Sequence, residues 1–566
     1  MERQRISTAT RIQPLIALAI ALAVTVVVLP SVLRPPPDTA NASAEFSPDA
    51  PPEETPDAII QSLRQAGSRT AGSVGTVEDE PPPPPPKLLP SKGGCYGKPP
   101  RQIDSLYAAP CEPAFKGDNG GATYTGVTKE QINLGVIICS DTVPPSKEGP
   151  VAQSAPVGGA EDSRDRTWRV MQQFFNQNYE LYGRRIQLYN VDPVNDPASG
   201  PACASTSYKA GMKTLAEEYH VFGALSEHPA AHLEGISRKL EMGGIYGAHP
   251  DFYSKNYPYE HSWVMDAGKL VTFGNELLCK QFVGKNAVYA GDATMHAKKR
   301  KFGLILFMGE AHQTGPDYIN NDFMNQCGAK FDEVVILNSY DNQRNQTLAS
   351  AIATMKSAGV TTVSLGLDFL TAGVMTHQAT QQQYQPEWFV CGCGEIDRNE
   401  LAELFFDPTQ WRHAFGITGA EIARPQEYTD WWRAYKSIDP DNDPNENSAK
   451  YGYLHLLQYM NGLQRAGPKL TPDSFMKGLM SMPKRPPDPK WSIGGGYGPG
   501  DYTYSDYVSL VWYDALEPAP DEKNQPGAYR HLTGGQRYAI GQIPTQPLPW
   551  FEDRPDSIAG APTEDL

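Results

Sequence analysis

Between Gly126 and Ser226, apolar runs alternate with helix-length segments. Leu134-Gly-Val-Ile-Ile138 and Val221-Phe-Gly-Ala-Leu225 are nearly continuous, and Tyr182-Gly-Arg-Arg-Ile-Gln-Leu-Tyr-Asn-Val-Asp192 carries a turn followed by another strand-like run. The segments between them, Thr167–Tyr182 and Ala204–Tyr219, have helical length and spacing. Unbroken β-branched and large apolar strands are buried on both faces, and intervening helices make their neighbours parallel. The strand ends are polar: Cys139-Ser-Asp, Asp192-Pro-Val and Ser226-Glu-His. Ligands of open α/β sheets bind beyond those ends, which predicts a small-molecule pocket.

A second set of elements follows. Lys301–Phe307, Glu333–Leu337, Thr361–Leu367, Trp388–Cys391 and Ala414–Ile417 are predicted strands. Phe273–Val283, Asp317–Cys327, Gln346–Ala358 and Leu370–Gln383 are predicted helices between them. Gly284–Arg300 breaks this rhythm and predicts an inserted surface loop. Trp411, Tyr428, Trp431, Trp432 and Tyr435 predict a helical region packing aromatics on its own lobe. Asp439–Glu446 is acidic but lacks the glycine and terminal glutamate of a calcium loop, so a solvated loop is expected.

The ends of the chain differ from the middle. Arg3, Arg5 and Arg11 precede the apolar run Leu15–Leu29, which implies export, either as a membrane anchor or as a cleaved signal. From Arg34 onward proline, alanine, serine and acidic residues predominate, with Pro81–Pro86 uninterrupted. Such a stretch buries too little apolar surface to fold. Pro518–Leu566 has similar composition and is expected to lie along the surface or to be disordered.

A formal charge of −16 argues against nucleic acid as a partner. Eight cysteines in an exported chain imply disulfides. The pairs Cys95 with Cys111, Cys139 with Cys203, and Cys279 with Cys327 are each compatible with the predicted elements. Cys391 and Cys393, separated by one glycine, can bridge each other or pair elsewhere. No phosphate loop, nucleophile elbow, zinc-protease motif or dinucleotide fingerprint sits on a suitable element. Binding without catalysis, cofactor or metal is the expectation.

Taken in order, these pieces resemble a known family. The lead-in Gly126-Val-Thr with Ile132-Asn-Leu-Gly-Val136, the Tyr182-Gly-Arg-Arg-Ile-Gln-Leu188 turn and strand, and Lys301-Phe-Gly-Leu-Ile-Leu-Phe307 are three of them. Leu348–Val360, the late helix Tyr451–Gly467, Tyr497-Gly-Pro-Gly-Asp501 and Ser509–Asp514 complete the series. Over Gly126–Leu516 the chain resembles type 1 periplasmic binding proteins, in particular the branched-chain amino-acid-binding branch. That resemblance implies an α/β, two-lobed fold in which each lobe is a parallel sheet flanked by helices. It implies a first lobe over 95–262 and 419–505, and a second over 263–418 and 506–517. An anchor or signal (1–33) and a Pro-rich linker (34–94) would precede them, and a Pro-rich tail (518–566) would follow.

By the same resemblance the ligand would meet Ser226, Glu227, His228, Asp251 and Phe252 from the first lobe. Gln313, Thr314, Asp368, Phe369 and Glu395 would meet it from the second. Glu227 would repel the carboxylate of an amino acid, so a cation, an amine or several hydroxyls suit it better. The implied function is extracytoplasmic capture of a small polar or amino-acid-like solute and delivery to an ABC permease. A tethered sensor or binding scaffold is the alternative.

Overall fold

The computed structural model describes residues 87–137, 148–154, 161–191, 205–244, 248–308, 314–338, 344–488 and 492–562. The apolar run at the N-terminus, most of the linker, Cys139, Cys203 and Gln313 lie outside them. Among the described residues no helix is long and apolar enough to cross a membrane.

The first lobe is built on a sheet of β1 (Gln131–Val136), β2 (Gly149–Pro150), β3 (Arg185–Asn190), β4 (Gly223–Leu225), β5 (Glu241–Gly243) and β6 (Glu260–His261). Its order is β2-β3-β1-β4-β5-β6, parallel except where β2 runs against β3. Helices α1 (Ser163–Asn178), α2 (Ser205–Glu217), α3 (Pro229–Ser237) and α4 (Pro250–Lys255) flank or link these strands. Trp168, Met171, Phe174 and Phe175 recur at helical spacing on α1 and are fully buried or nearly so. Asp162 caps that helix by accepting from the Arg164 N–H.

The chain then enters the second lobe through α5 (Ala267–Leu277), which runs on into a π turn over Leu278–Phe282. Its start is six residues earlier than the apolar spacing predicts, because Asp266 accepts from the Lys269 N–H and caps it. There follow β7 (Phe302–Met308), α6 (Pro316–Cys327), β8 (Glu333–Asn338), α7 (Arg344–Ser357), β9 (Thr362–Gly366) and α8 (Phe369–Gln381). Next come β10 (Glu387–Val390), α9 (Asn399–Phe405), α10 (Pro408–Trp411) and β11 (Ala414–Thr418).

Helices α11 (Asp430–Ile438), α12 (Glu446–Ala466) and α13 (Pro472–Met480) return to the first lobe, where α11 and α12 pack on α1. Trp431, Ala434 and Tyr435 join that lobe's core. Finally β12 (Val508–Ala519), β13 (Gln525–His531) and β14 (Arg537–Tyr538) complete the second sheet. Its order is β13-β12-β11-β10-β9-β7-β8, with β14 also paired to β12. The strands from β7 to β11 are parallel, and β12 turns antiparallel.

Two expectations change and a third is refined. The stretch over 518–566 is no detached tail in its described part. It supplies β13 and β14, and Trp550 and Ile543 enter the second core, because its apolar residues are spaced among the prolines rather than absent. Gly284–Arg300 is a largely exposed loop, as expected, but not a free one: Ala287, Ala290 and Met295 pin it to the core. The end of the linker also docks, with Leu89 buried and the Lys87 carbonyl accepting from Arg433.

Aromatic residues from three separate chain segments meet in the first-lobe core, near the chain crossings. Trp263 stacks on Tyr504 with ring centres 4.3 Å apart, and Tyr107 packs edge-on to Trp263 at 4.9 Å. Lys269 Nζ lies 2.8 Å from Asp501 and 2.6 Å from Asp506, tying the first crossing to the last. Disulfides join Cys95 to Cys111, Cys279 to Cys327, and Cys391 to Cys393. The second of these staples the end of α6 to the π turn after α5.

Candidate ligand-binding cleft

A cleft of about 1370 Å³ lies between the lobes, with walls from both sheets and from α12. Its first-lobe wall forms where β4 stops at Leu225 and α3 starts at Pro229. His228 is the N-cap of α3: its Nδ1 accepts from the Ala230 N–H at 3.1 Å, and its ring stacks on Tyr208 at 4.2 Å. Glu227 lines the cleft beside it. Its Oε1 is buried without a hydrogen-bond partner and lies 3.8 Å from His455 Nε2.

The second-lobe wall comes from the ends of β9 and β10. Asp368 caps α8 by accepting from the Thr371 N–H at 2.9 Å, and Phe369 packs on Phe405 at 5.3 Å. After β10 the turn Cys391-Gly-Cys-Gly-Glu395 is closed by its own disulfide. Three of its residues have positive φ: Gly392 (66°), Gly394 (59°) and Glu395 (61°). A Cβ on Gly394 would lie 1.9 Å from the Leu367 carbonyl oxygen, so only glycine fits. Glu395 itself is held in the left-handed region, which is uncommon for a residue with a side chain.

That turn aims Glu395 at α12. Its Oε1 accepts from the Tyr451 hydroxyl and lies 3.2 Å from Arg398 Nη1. Burial pushes the Glu395 carboxyl up, and the charge of Glu227 adds to this against Arg398 and Tyr451, leaving it raised. Arg398 also pairs with Glu400, whose other oxygen lies 2.5 Å from Lys450 Nζ. Burial would raise Glu400, but Arg398 and Lys450 hold it below the usual carboxylate range. Nearby, burial and then the hydrogen bond to Glu400 push Glu522 up to about 8. Tyr451 and Lys450 ride on the first lobe while Glu395, Arg398 and Glu400 belong to the second. These contacts therefore bridge the lobes along one side of the cleft.

Of the residues singled out in the sequence, Glu227, His228, Thr314, Asp368, Phe369 and Glu395 are brought together around the cleft. Ser226 is buried behind the wall: its Oγ accepts from the His228 N–H and its carbonyl from His232. Asp251 lies on the first turn of α4 and pairs with Lys255 at 3.5 Å, and Phe252 packs against Tyr253. Neither lines the cleft. Arg398, Lys450, Tyr451 and His455 were not singled out. The spacing of Tyr451 and His455, four residues apart on a helix, places them on one face and was a usable signal.

No family model matches the chain, and no curated protein matches it. Among solved structures, it is similar to a possible leucine/isoleucine/valine-binding protein from Rhodopirellula baltica SH 1. That likeness has 12% identity and a TM-score of 0.46, and covers 71% of this chain and 96% of the other. A type 1 periplasmic binding protein from Bordetella pertussis Tohama I is similar at 12% identity and a TM-score of 0.46, covering 68% and 96%. So is an ABC transporter substrate-binding protein from Aeropyrum pernix, at 12% identity and a TM-score of 0.48, covering 74% and 98%.

Proposed function

We propose that this chain is an extracytoplasmic solute-binding protein that captures a small polar or amino-acid-like ligand between its lobes and delivers it to an ABC permease. The observation that carries this reading is the composition of the cleft walls. Charged and aromatic residues at the carboxyl ends of strands in both sheets face one space. A ligand touching both walls stabilises the closed arrangement over an open one, because only the closed form offers both sets of contacts. The Tyr451–Glu395 and Lys450–Glu400 contacts are made across the same gap, so they favour closure along with the ligand. Binding and closure complete the protein's task, without chemistry on the solute. Export follows from the basic and apolar N-terminal run.

A thermal-shift screen of the protein against amino acids, amides, polyamines, sugars and short peptides tests this. Ligand in hundredfold excess over Kd adds ~2.7 kcal/mol to the folded state, a rise of several degrees. A shift with one solute class that Glu227→Ala and Phe369→Ala both abolish supports the assignment. Silence across the panel would favour a scaffold without a solute. A bound solute with no stimulation of uptake in a reconstituted permease would favour a tethered sensor.

A further inference from the structure

The cleft does not end at the strand tips. It continues into the second lobe, between the sheet and helices α5 and α6, as a pocket walled by Leu270, Val271, Leu304, Leu306, Ile319 and Phe389. Two side chains there do not belong to an ordinary core. Ser364 sits in register between Leu304 and Phe389, on the face covered by α5 and α6. It is 5% exposed, and its Oγ has no hydrogen-bond partner. Thr314, which precedes α6, is 9% exposed, and its Oγ1 likewise has none. A packed core satisfies or excludes such hydroxyls, so two of them lining one cavity point to a polar atom that a ligand supplies. At the mouth of the same cavity, Glu227 keeps a buried carboxylate oxygen without a hydrogen bond, facing the lobe that carries Glu395.

Resting on the solute-binding reading, we propose that the ligand is an amphipathic amine. Its cationic head sits at Glu227 and Glu395, and its apolar arm, carrying one hydroxyl-like atom, enters the pocket beneath α5 and α6. The head relieves the repulsion between the two carboxylates, which adds to burial in raising Glu395. The arm displaces water from an apolar wall, and its polar atom pairs with Ser364 or Thr314. A small zwitterion such as a free amino acid would fill only the mouth.

The test is calorimetric titration of the protein with n-alkylamines from propyl to octyl, beside 6-aminohexan-1-ol and the matching n-alkyl carboxylates. Burial of each methylene predicts about fourfold tighter binding per carbon until the pocket is full. Glu227→Gln should weaken every amine tenfold or more without changing that slope. Ser364→Ala should weaken 6-aminohexan-1-ol about fivefold and leave hexylamine unchanged. Val271→Trp should flatten the slope for the longer chains and spare propylamine. The wild-type slope is decisive even if that variant does not fold. Amine affinities independent of chain length, or an equal slope for the carboxylates, would overturn the proposal. If a polar solute stabilises the protein while no alkylamine binds, the amphipathic ligand is wrong and the solute-binding reading survives. If neither binds, both fail.

Discussion

The two lobes bury charge in different ways. Beneath the strand ends of the first lobe lie two histidine–carboxylate pairs, His232 with Glu260 at 3.0 Å and His261 with Glu241 at 2.5 Å, all but sealed from solvent. In the second lobe the corresponding feature is one arginine pair. Arg300 grips Glu387 through Nε and Nη2 at 2.7 and 2.8 Å, while Thr362 Oγ1 and the Tyr289 N–H donate to the same carboxylate. The difference is sharpest between the His232–Glu260 pair, which shares a titratable proton, and the arginine pair, which does not, since arginine is not deprotonated in proteins. His232 Nε2 lies 2.8 Å from the Ser226 carbonyl and Nδ1 faces both Glu260 oxygens, so the pair needs a proton on each side of the ring. The Ser226 carbonyl that His232 holds belongs to the residue just before Glu227, behind the cleft wall. The second lobe's wall is instead fixed by a disulfide and glycines.

Breaking the arginine pair should have the largest effect. Glu387→Ala leaves Arg300 buried without a counter-charge and should cost about 3–5 kcal/mol in urea unfolding. A loss under about 1 kcal/mol would show that water reaches this site. His232→Ala should cost less, about 2 kcal/mol, because Glu260 can hold the remaining proton itself.

The pH dependence sharpens the contrast. Burial alone would lower His232, but the Glu260 charge and hydrogen bond and the Ser226 carbonyl overcome it, so its pKa is raised. Burial raises Glu260 as well. Both groups hold their protons more tightly in the folded than in the unfolded state. The contribution of His232 is therefore present below the ordinary histidine range and lost as pH rises through its raised value, and that of Glu260 is present below the ordinary carboxylate range and lost as pH rises through its own raised value. The wild-type melting temperature should fall above about pH 6.5, and His232→Gln should flatten that fall. An unchanged slope in the variant would place the titration elsewhere.

Smaller effects are expected at the cleft itself. Gly394→Ala, forced against the Leu367 carbonyl, should cost about 1–3 kcal/mol and loosen Glu395. Tyr451→Phe removes two hydrogen bonds across the lobes, one donated to Glu395 and one accepted from Arg398, and should cost about 2 kcal/mol. Small-angle scattering of the Tyr451→Phe protein should show a larger radius of gyration than wild type. Equal radii would mean that the bridge does not hold the lobes.

Much of this architecture was legible in the apolar pattern. β7, Phe-Gly-Leu-Ile-Leu-Phe-Met, is apolar at nearly every position because helices cover both of its faces, and its bounds differ by one residue from the predicted strand. The α5 start was missed because a cap depends on one aspartate and not on periodicity. Segment 525–538 was misjudged because prolines at Pro518, Pro520 and Pro526 mask strands that pair at the edge of a sheet. At the cleft, Glu227 and His228 were marked by their place after a strand, while Asp368 and Glu395 were named through the family resemblance. Asp251 and Phe252 stood among the candidates because a polar strand end does not reveal which way the following helix turns.

The sequence by itself determined the elements, their alternation and the polar strand ends, because periodicity and burial on both faces are local consequences of composition. Only the tertiary structure decided what meets across the lobes. Tyr451 reaches Glu395 over 56 positions of chain, and Ser364 meets an apolar cavity roofed by helices from elsewhere. Such contacts depend on the packing of whole layers, which no local run of residues encodes.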